Sequence, residues 1–284
     1  MVASILDGKA VAAEIRNHIK HDVATLIKQG RREPGLAVVL VGEEPASTIY
    51  VNHKRKACLE AGFKSSAYNL PIETTETELL SLIDTLNNAS DIDGILVQLP
   101  LPKHINTREI IERISPNKDV DGFHPYNLGC LAQGDPQLRP CTPYGVMKLL
   151  NYYQLPIEGK HAVVIGASNI VGRPMALEFL LAKATVTLCH SATRELERHV
   201  RMAEILVIAT GKSNVINTDW LQPGQILVDI GMHRRHDGTV HGDVDFAKAK
   251  SKVSWITPVP GGAGPMTICM LLQNTLFAAT HLSK

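Results

Sequence analysis

Short apolar runs alternate with helix-patterned segments twice along this chain, and one aperiodic stretch separates the two series. In the first series residues 36–41, Leu-Ala-Val-Val-Leu-Val, are apolar throughout, as a strand covered on both faces must be. Residues 63–70 and 94–99 predict two further strands. Before them, Val11, Ile15, Ile19, Val23 and Leu26 recur at helical spacing, with Asp7 as a cap and Gly30 as a stop. Pro45 opens a second helix that runs to about residue 61 and ends at Gly62, and residues 76–87 and 107–114 predict two more. Residues 115–143 are rich in Pro, Gly, Asn and Asp without periodicity and predict an inter-domain junction. The second series follows: helix 144–153, strand 161–165, helix 172–182, strand 185–189, helix 193–202, strands 205–209 and 225–230, and a last helix at 267–281. Such alternation builds parallel sheets with helices on their faces, so the class is α/β.

A chain of 284 residues suits two cores better than one. Residues 1–140 are expected to form the first domain and 141–266 the second, with the helix near 267–284 packing back on the first. The formal net charge of +1 supplies no global field to recruit nucleic acid or an anionic membrane. Cys58, Cys130, Cys141, Cys189 and Cys269 are scattered and form no C-x-x-C pair, the pattern of free thiols in a reducing compartment. No apolar run reaches spanning length, and Asp7, Lys9, Glu14 and Arg16 interrupt the N-terminus too early for a signal peptide, so a cytoplasmic setting is expected. His233, His236 and His241 lack the acidic or thiol partners of a recognisable ligand set; they read as surface histidines, and no metal is expected.

Three prolines and three glycines crowd the eleven residues from Thr257 to Thr267, a composition excluded from strands and helix interiors. The expectation is a rigid loop whose bare backbone admits a flat ligand, opening onto a helix whose N–H groups point back at it. A second bare turn follows strand 161–165: Gly166-Ala167-Ser168-Asn169-Ile170-Val171-Gly172-Arg173-Pro174 runs from strand into helix. Those are the parts that hold a pyrophosphate, although Ser168 replaces the middle glycine of G-x-G-x-x-G and the last glycine comes late. The second domain is therefore read as Rossmann-like. After the next strand, Cys189-His190-Ser191-Ala192-Thr193-Arg194 holds no carboxylate to accept from a ribose 2′-hydroxyl, whereas Ser191 and Arg194 could bind a 2′-phosphate. NADP is favoured over NAD, though Ser191 or Thr193 could equally cap the next helix.

In the first domain Tyr50 and Lys54 stand four residues apart on one helix face, where most lysines are solvated surface. Gln98 lies near the end of an otherwise apolar strand, as a satisfied polar side chain or as a site residue, since ligands bind at the carboxyl ends of parallel strands. Asp119 and Asp121 could form only a turn with Asx hydrogen bonds.

Taken together, these segments carry a resemblance. Tyr50-Val51-x-x-Lys54-x-Lys56-x-Cys58, Gly94-Ile-Leu-Val-Gln98-Leu-Pro-Leu-Pro102, Lys118-Asp-Val-Asp121-Gly122, the turn from Gly166 to Pro174 and the stretch from Pro258 to Thr267 occur in order. The whole chain closely resembles the bifunctional methylenetetrahydrofolate dehydrogenase/methenyltetrahydrofolate cyclohydrolase family. The resemblance implies a homodimer of two α/β domains with a ligand cleft between them, folate in the cleft and NADP on the second domain. It implies oxidation of 5,10-methylenetetrahydrofolate with NADP, then hydrolysis of the methenyl cation to 10-formyltetrahydrofolate. Lys54 would be the general acid/base of hydrolysis, Gln98 would orient it, Tyr50 would stack on the folate and Asp121 would bind the pterin. Leu99, Pro100, Pro260, Gly261, Gly262, Pro265 and Thr267 would complete the folate contacts, with residues 260–267 closing over it. The implied cofactor positions are Gly166, Ala167, Ser168, Ile170, Val171, Gly172, His190, Ser191, Arg194, Thr210, Gly211 and Ile230. Ala167 stands where many members carry arginine and Ala192 where some carry a basic residue, which leaves Arg194, Ser191 and His190 as candidates for the 2′-phosphate.

Physical reasoning agrees with these roles. An acceptor-only carboxylate suits the donor edge of a pterin. A cationic substrate disfavours a second positive charge beside it, so Lys54 is expected to act in its neutral form and take a proton from the attacking water. Two rival readings are a shikimate-dehydrogenase-like NADP oxidoreductase and a non-catalytic nucleotide-binding protein. Gln98 beside Lys54 and the stretch 258–267 favour the folate enzyme over the first; the altered glycine spacing supports the second, which leaves Lys54, Gln98 and Asp121 without a joint explanation.

Overall fold

The computed structural model describes residues 2–42, 45–234 and 238–282, with the side chains of 45–50 outside that description. In chain order its elements are β1 (Ser4–Ile5), α1 (Gly8–Lys28), β2 (Gly35–Val41), α2 (Pro45–Glu60), β3 (Lys64–Leu70), α3 (Glu76–Asn88), β4 (Gly94–Val97), α4 (Thr107–Arg113), α5 (Pro125–Gln133) and α6 (Cys141–Tyr152). They continue as β5 (His161–Ile165), α7 (Gly172–Leu181), β6 (Thr185–Cys189), α8 (Leu196–Met202), β7 (Ile205–Ile208), β8 (Ile226–Asp229), β9 (His233–Arg234), β10 (Val240–His241), α9 (Phe246–Ala249), β11 (Trp255–Ile256) and α10 (Ala263–Phe277). The α/β class holds. No helix among the described residues is long and apolar enough to cross a membrane.

The chain divides into two compact units, one of Met1–Ala13 with Thr142–Thr267, the other of Glu14–Cys141 with Ile268–Lys284. The first carries a six-stranded sheet in the order β1-β11-β8-β7-β5-β6, parallel throughout. Strand β5 sits between β6 and β7, so the chain leaves it first to one side and then to the other. Its carboxyl end is a topological switch point, where a crevice opens for ligands. The second unit carries a three-stranded parallel sheet, β3-β2-β4, with the corresponding switch between β2 and β4. Every residue of β2 is buried, and Leu79, Ile83 and Leu86 of α3 cover one face of this sheet. A capping box fixes the start of α3: Thr75 accepts from the Glu78 N–H, and Glu78 accepts from the Thr75 N–H.

The structure corrects several boundaries. The stretch 115–143 is not wholly irregular, because it contains α5 and the start of α6. His124 caps α5 through its Nδ1, Pro125 occupies the first position, and Gly134 ends it in a left-handed conformation. Helix α10 begins at Ala263, so Gly264, Pro265 and Met266 are helical instead of loop. Proline in a first turn removes an N–H that has no helical partner anyway. Helix α8 starts at Leu196, because Glu195 adopts a left-handed φ of 51°. Strands β1 and β11, two residues each, are too short to show a period.

Candidate active site

Lys54 is on the core-facing stripe of α2. Val51, Lys54, Ala57, Cys58 and Ala61 are all buried, and Lys54 itself is 6% exposed. Burying an ammonium is costly unless it is hydrogen-bonded. Its Nζ donates to Oε1 of Gln98 at 3.0 Å, and Nε2 of Gln98 donates to the carbonyl of Leu99 at 2.7 Å. Gln98 follows β4 directly, and its backbone N–H still reaches the Val39 carbonyl of β2 at 2.9 Å. The amide is therefore placed at the switch point of the three-stranded sheet, and the peptide bond between Leu99 and Pro100 next to it is cis.

Asp121 belongs to the same neighbourhood. Residues 118–121 extend the sheet beside β4: Ile95 N–H donates to the Lys118 carbonyl at 2.8 Å, and Asp119 pairs with Ile95 in a parallel bridge. Asp119 is more than a turn residue. Its buried carboxylate accepts from the His124 N–H at 2.8 Å and from Asn127 Nδ2 at 2.9 Å. Asp121 keeps some solvent contact, yet the surrounding protein pushes its carboxyl up to about 6, opposed by the positive charge of Lys54 and assisted by Asp119. Burial raises the thiols of Cys58, to about 12, and Cys141, so neither is a nucleophile near neutral pH. Lys54, Gln98 and Asp121 thus come together. The side chain of Tyr50 lies outside the described residues.

One contributor was not anticipated. Asn274 of α10 is buried, and its Nδ2 donates to the carbonyls of Val120 at 2.9 Å and Arg139 at 2.8 Å. It fixes both sides of the segment bearing Asp121, whose own carbonyl accepts from Cys141 N–H at 3.3 Å.

In the six-stranded unit, the turn from β5 into α7 has the bare backbone a dinucleotide requires. Gly166 has φ 115°, and a Cβ at Gly172 would overlap the carbonyl of Gly166. The opening N–H groups of α7 are not simply free: Ser168 Oγ accepts from Val171 at 3.2 Å and from Gly172 at 3.3 Å. Its hydroxyl retains a proton to donate. Ser168 and Ile170 are exposed, while Ala167 and Val171 are partly covered. His190, Ser191 and Arg194 are exposed beyond β6, in a turn closed by Thr193 Oγ1 on the His190 N–H at 2.9 Å. Thr210 and Gly211 follow β7 across the crevice, and Ile230 follows β8 with its N–H on the Ile208 carbonyl at 2.9 Å. These residues fit a dinucleotide with a phosphorylated ribose.

Pro260, Gly261, Gly262, Pro265 and Thr267 also belong to this unit. Gly261 has φ 112° and accepts from Lys9 N–H at 2.9 Å, and Thr267 Oγ1 pairs with Thr142 Oγ1 at 2.9 Å. His233 is no simple surface histidine: its Nε2 is 2.7 Å from the buried Asp243 Oδ1, and its ring stacks on His241. His236 lies outside the described residues.

Residues 6–121 match the family model for the tetrahydrofolate dehydrogenase/cyclohydrolase catalytic domain, and residues 140–283 match that for the tetrahydrofolate dehydrogenase/cyclohydrolase NAD(P)-binding domain. A Legionella pneumophila (strain Corby) relative, "Bifunctional protein FolD", is 60% identical over all of both chains. The solved bifunctional FolD methylenetetrahydrofolate dehydrogenase/cyclohydrolase from Campylobacter jejuni is 50% identical, with a TM-score of 0.96 over 99% of each chain. The Trypanosoma brucei methylenetetrahydrofolate dehydrogenase-cyclohydrolase, solved with NADP cofactor and inhibitor, is 36% identical, with a TM-score of 0.95 over 99% of each chain.

Proposed function

This chain belongs to the tetrahydrofolate dehydrogenase/cyclohydrolase family, and on that premise we propose how its own residues divide the work. It is an enzyme that oxidises 5,10-methylenetetrahydrofolate with NADP and hydrolyses the resulting 5,10-methenyl compound to 10-formyltetrahydrofolate. The observation that carries the division is Lys54, buried, hydrogen-bonded to an amide whose other end is already committed, and close enough to Asp121 to lower its proton affinity.

When bound, NADP accepts the hydride that the methylene carbon loses, so oxidation asks of the protein mainly alignment. We assign that binding to Gly166, Ala167, Ser168, Ile170, Val171, Gly172, Thr210, Gly211 and Ile230, with Ser191, Arg194 and His190 at the 2′-phosphate. Arg194 offers the planar fork that matches a phosphate.

Hydrolysis is the step in which side chains take part. Water adds to the methenyl carbon and loses one proton to neutral Lys54. The hydroxyl of that adduct loses its remaining proton to solvent as the bond from the carbon to N5 breaks, N5 takes back the proton held by Lys54, and the formyl group stays on N10, one proton being released overall. Gln98 is the positioning residue: its oxygen holds one Nζ hydrogen, so the amine's lone pair is directed elsewhere. Ionised Asp121 accepts from the pterin's amide and amine edge, Leu99 and Pro100 line the same end of β4, and Tyr50 stacks on the aminobenzoyl ring. We further propose that the protein acts in the cytoplasm as a homodimer, with no nucleic-acid or membrane partner.

Absorbance of the purified protein with 5,10-methylenetetrahydrofolate tests the cofactor assignment. Reduction of NADP far faster than NAD supports it, whereas equal or preferential reduction of NAD overturns the roles given to Ser191 and Arg194.

A further inference from the structure

Beyond these assignments, a pair of buried carboxylates stands behind the cofactor turn. Asp243, 0% exposed, collects three donors on Oδ2: the N–H of Thr210 at 2.8 Å, the hydroxyl of Thr210 at 2.8 Å and the N–H of Gly211 at 3.1 Å. Its Oδ1 meets His233 Nε2 at 2.7 Å, and its carbonyl accepts from Asn214 N–H at 2.7 Å. Asp229, 4% exposed, in turn fixes the backbone of Asp243. Its Oδ1 accepts from the N–H groups of Asp243 at 3.0 Å and Gly231 at 2.9 Å, and its Oδ2 from Val244 at 2.9 Å. Two glycines make room: a Cβ at Gly231 would overlap the Asp243 carboxylate, and one at Gly242 would overlap that of Asp229.

We infer that Asp243, oriented by His233 and Asp229, is a positioning residue that sets the conformation of the cofactor-facing turn Thr210–Gly211. A buried carboxylate must be matched by donors, and here they come from two consecutive residues at the carboxyl end of β7. Three bonds to one oxygen leave that turn a single arrangement, with Gly211 at φ 64°. The turn adjoins Gly166 across the crevice, since a Cβ at Gly166 would overlap the Ala209 carbonyl. A displaced turn therefore moves one wall of the dinucleotide site. The inference rests on the reading of this crevice as the NADP site.

The test measures KM for NADP and kcat of the dehydrogenase, together with hydrolysis of 5,10-methenyltetrahydrofolate without NADP. Asp243→Asn turns one oxygen into a donor facing donors. KM for NADP should rise about tenfold or more, the scale of a lost charged hydrogen bond, while NADP-free hydrolysis stays within about twofold of wild type. Because Asp243→Asn can fail to fold, His233→Ala provides the second variant: its side chain is 22% exposed, and the change removes the donor to Oδ1 together with the stack on His241. KM for NADP should rise severalfold, and His233→Gln, which keeps a donor, should restore it. An unchanged KM in folded His233→Ala, or equal loss of both activities, overturns the positioning role. A wild-type protein that turns over no NADP instead overturns the cofactor reading, and this inference with it.

Discussion

Lys54 donates to Gln98 at 3.0 Å, and the far end of the same amide is held by the Leu99 carbonyl at 2.7 Å, so the amide oxygen cannot rotate away from the lysine without breaking its own anchor. Gln98→Met keeps the bulk and removes the acceptor. Hydrolysis of the methenyl compound should fall about a hundredfold, the contribution of a well-placed proton-transfer group. Gln98→Glu should act differently. An anion there favours the protonated lysine, so the pH–rate profile of hydrolysis should move to more alkaline pH. Profiles for the two variants check both outcomes, and an unshifted Gln98→Glu profile contradicts the role of Lys54 as base.

Asp121 should make folate binding acid-sensitive. Protein atoms around it push its carboxyl up to about 6 despite the nearby charge of Lys54. Below that pH the protonated form grows, and a protonated carboxyl loses its acceptor-only character. The dissociation constant for folate should therefore rise about tenfold per pH unit below the transition and stay level above it. Asp121→Asn should bind weakly with no such slope. Fluorescence titration between neutrality and about pH 5 checks this. A flat wild-type profile contradicts it.

Asn274 should matter twice. Asn274→Leu removes the amide donor from the Val120 and Arg139 carbonyls in a buried place and leaves Val120 with the weaker Cys141 thiol at 3.1 Å, at a total cost of about 1–3 kcal/mol. Urea unfolding should show that loss of stability, and KM for folate should rise because Asp121 loses its support. Wild-type stability in this variant would mean the two carbonyls find other partners.

Much of this architecture is legible before any coordinates. The continuous apolar run at 36–41 reads as a strand buried on both faces, and it is, between two parallel neighbours; the strand read at 161–165 also lies between two parallel neighbours. Lys54 is partly legible too. It shares a helical face with Val51, Cys58 and Ala61, so its burial follows from the period of α2, although a lysine alone argues for solvent. Helix α5 carried its own signals, His124, Pro125 and Gly134, but they lay within a stretch whose composition reads as loop. Asn274 left little trace, because it is the middle of a polar triplet, Gln273-Asn274-Thr275, between the apolar stretches 268–272 and 276–279. The Asp229–Asp243 pair left almost none. Its partners are backbone groups and residues distant in sequence, which neither periodicity nor motif spacing can bring together.

The central claim is that Lys54 performs the hydrolysis and that oxidation proceeds without it. The most direct measurement follows the methenyl absorbance while wild type and Lys54→Gln act on 5,10-methylenetetrahydrofolate with NADP. Wild type should show NADPH forming while the methenyl compound decays faster than in buffer. Lys54→Gln should still bind folate and form NADPH, but its methenyl product should accumulate and decay only at the buffer rate. Decay in Lys54→Gln as fast as in wild type would contradict the claim.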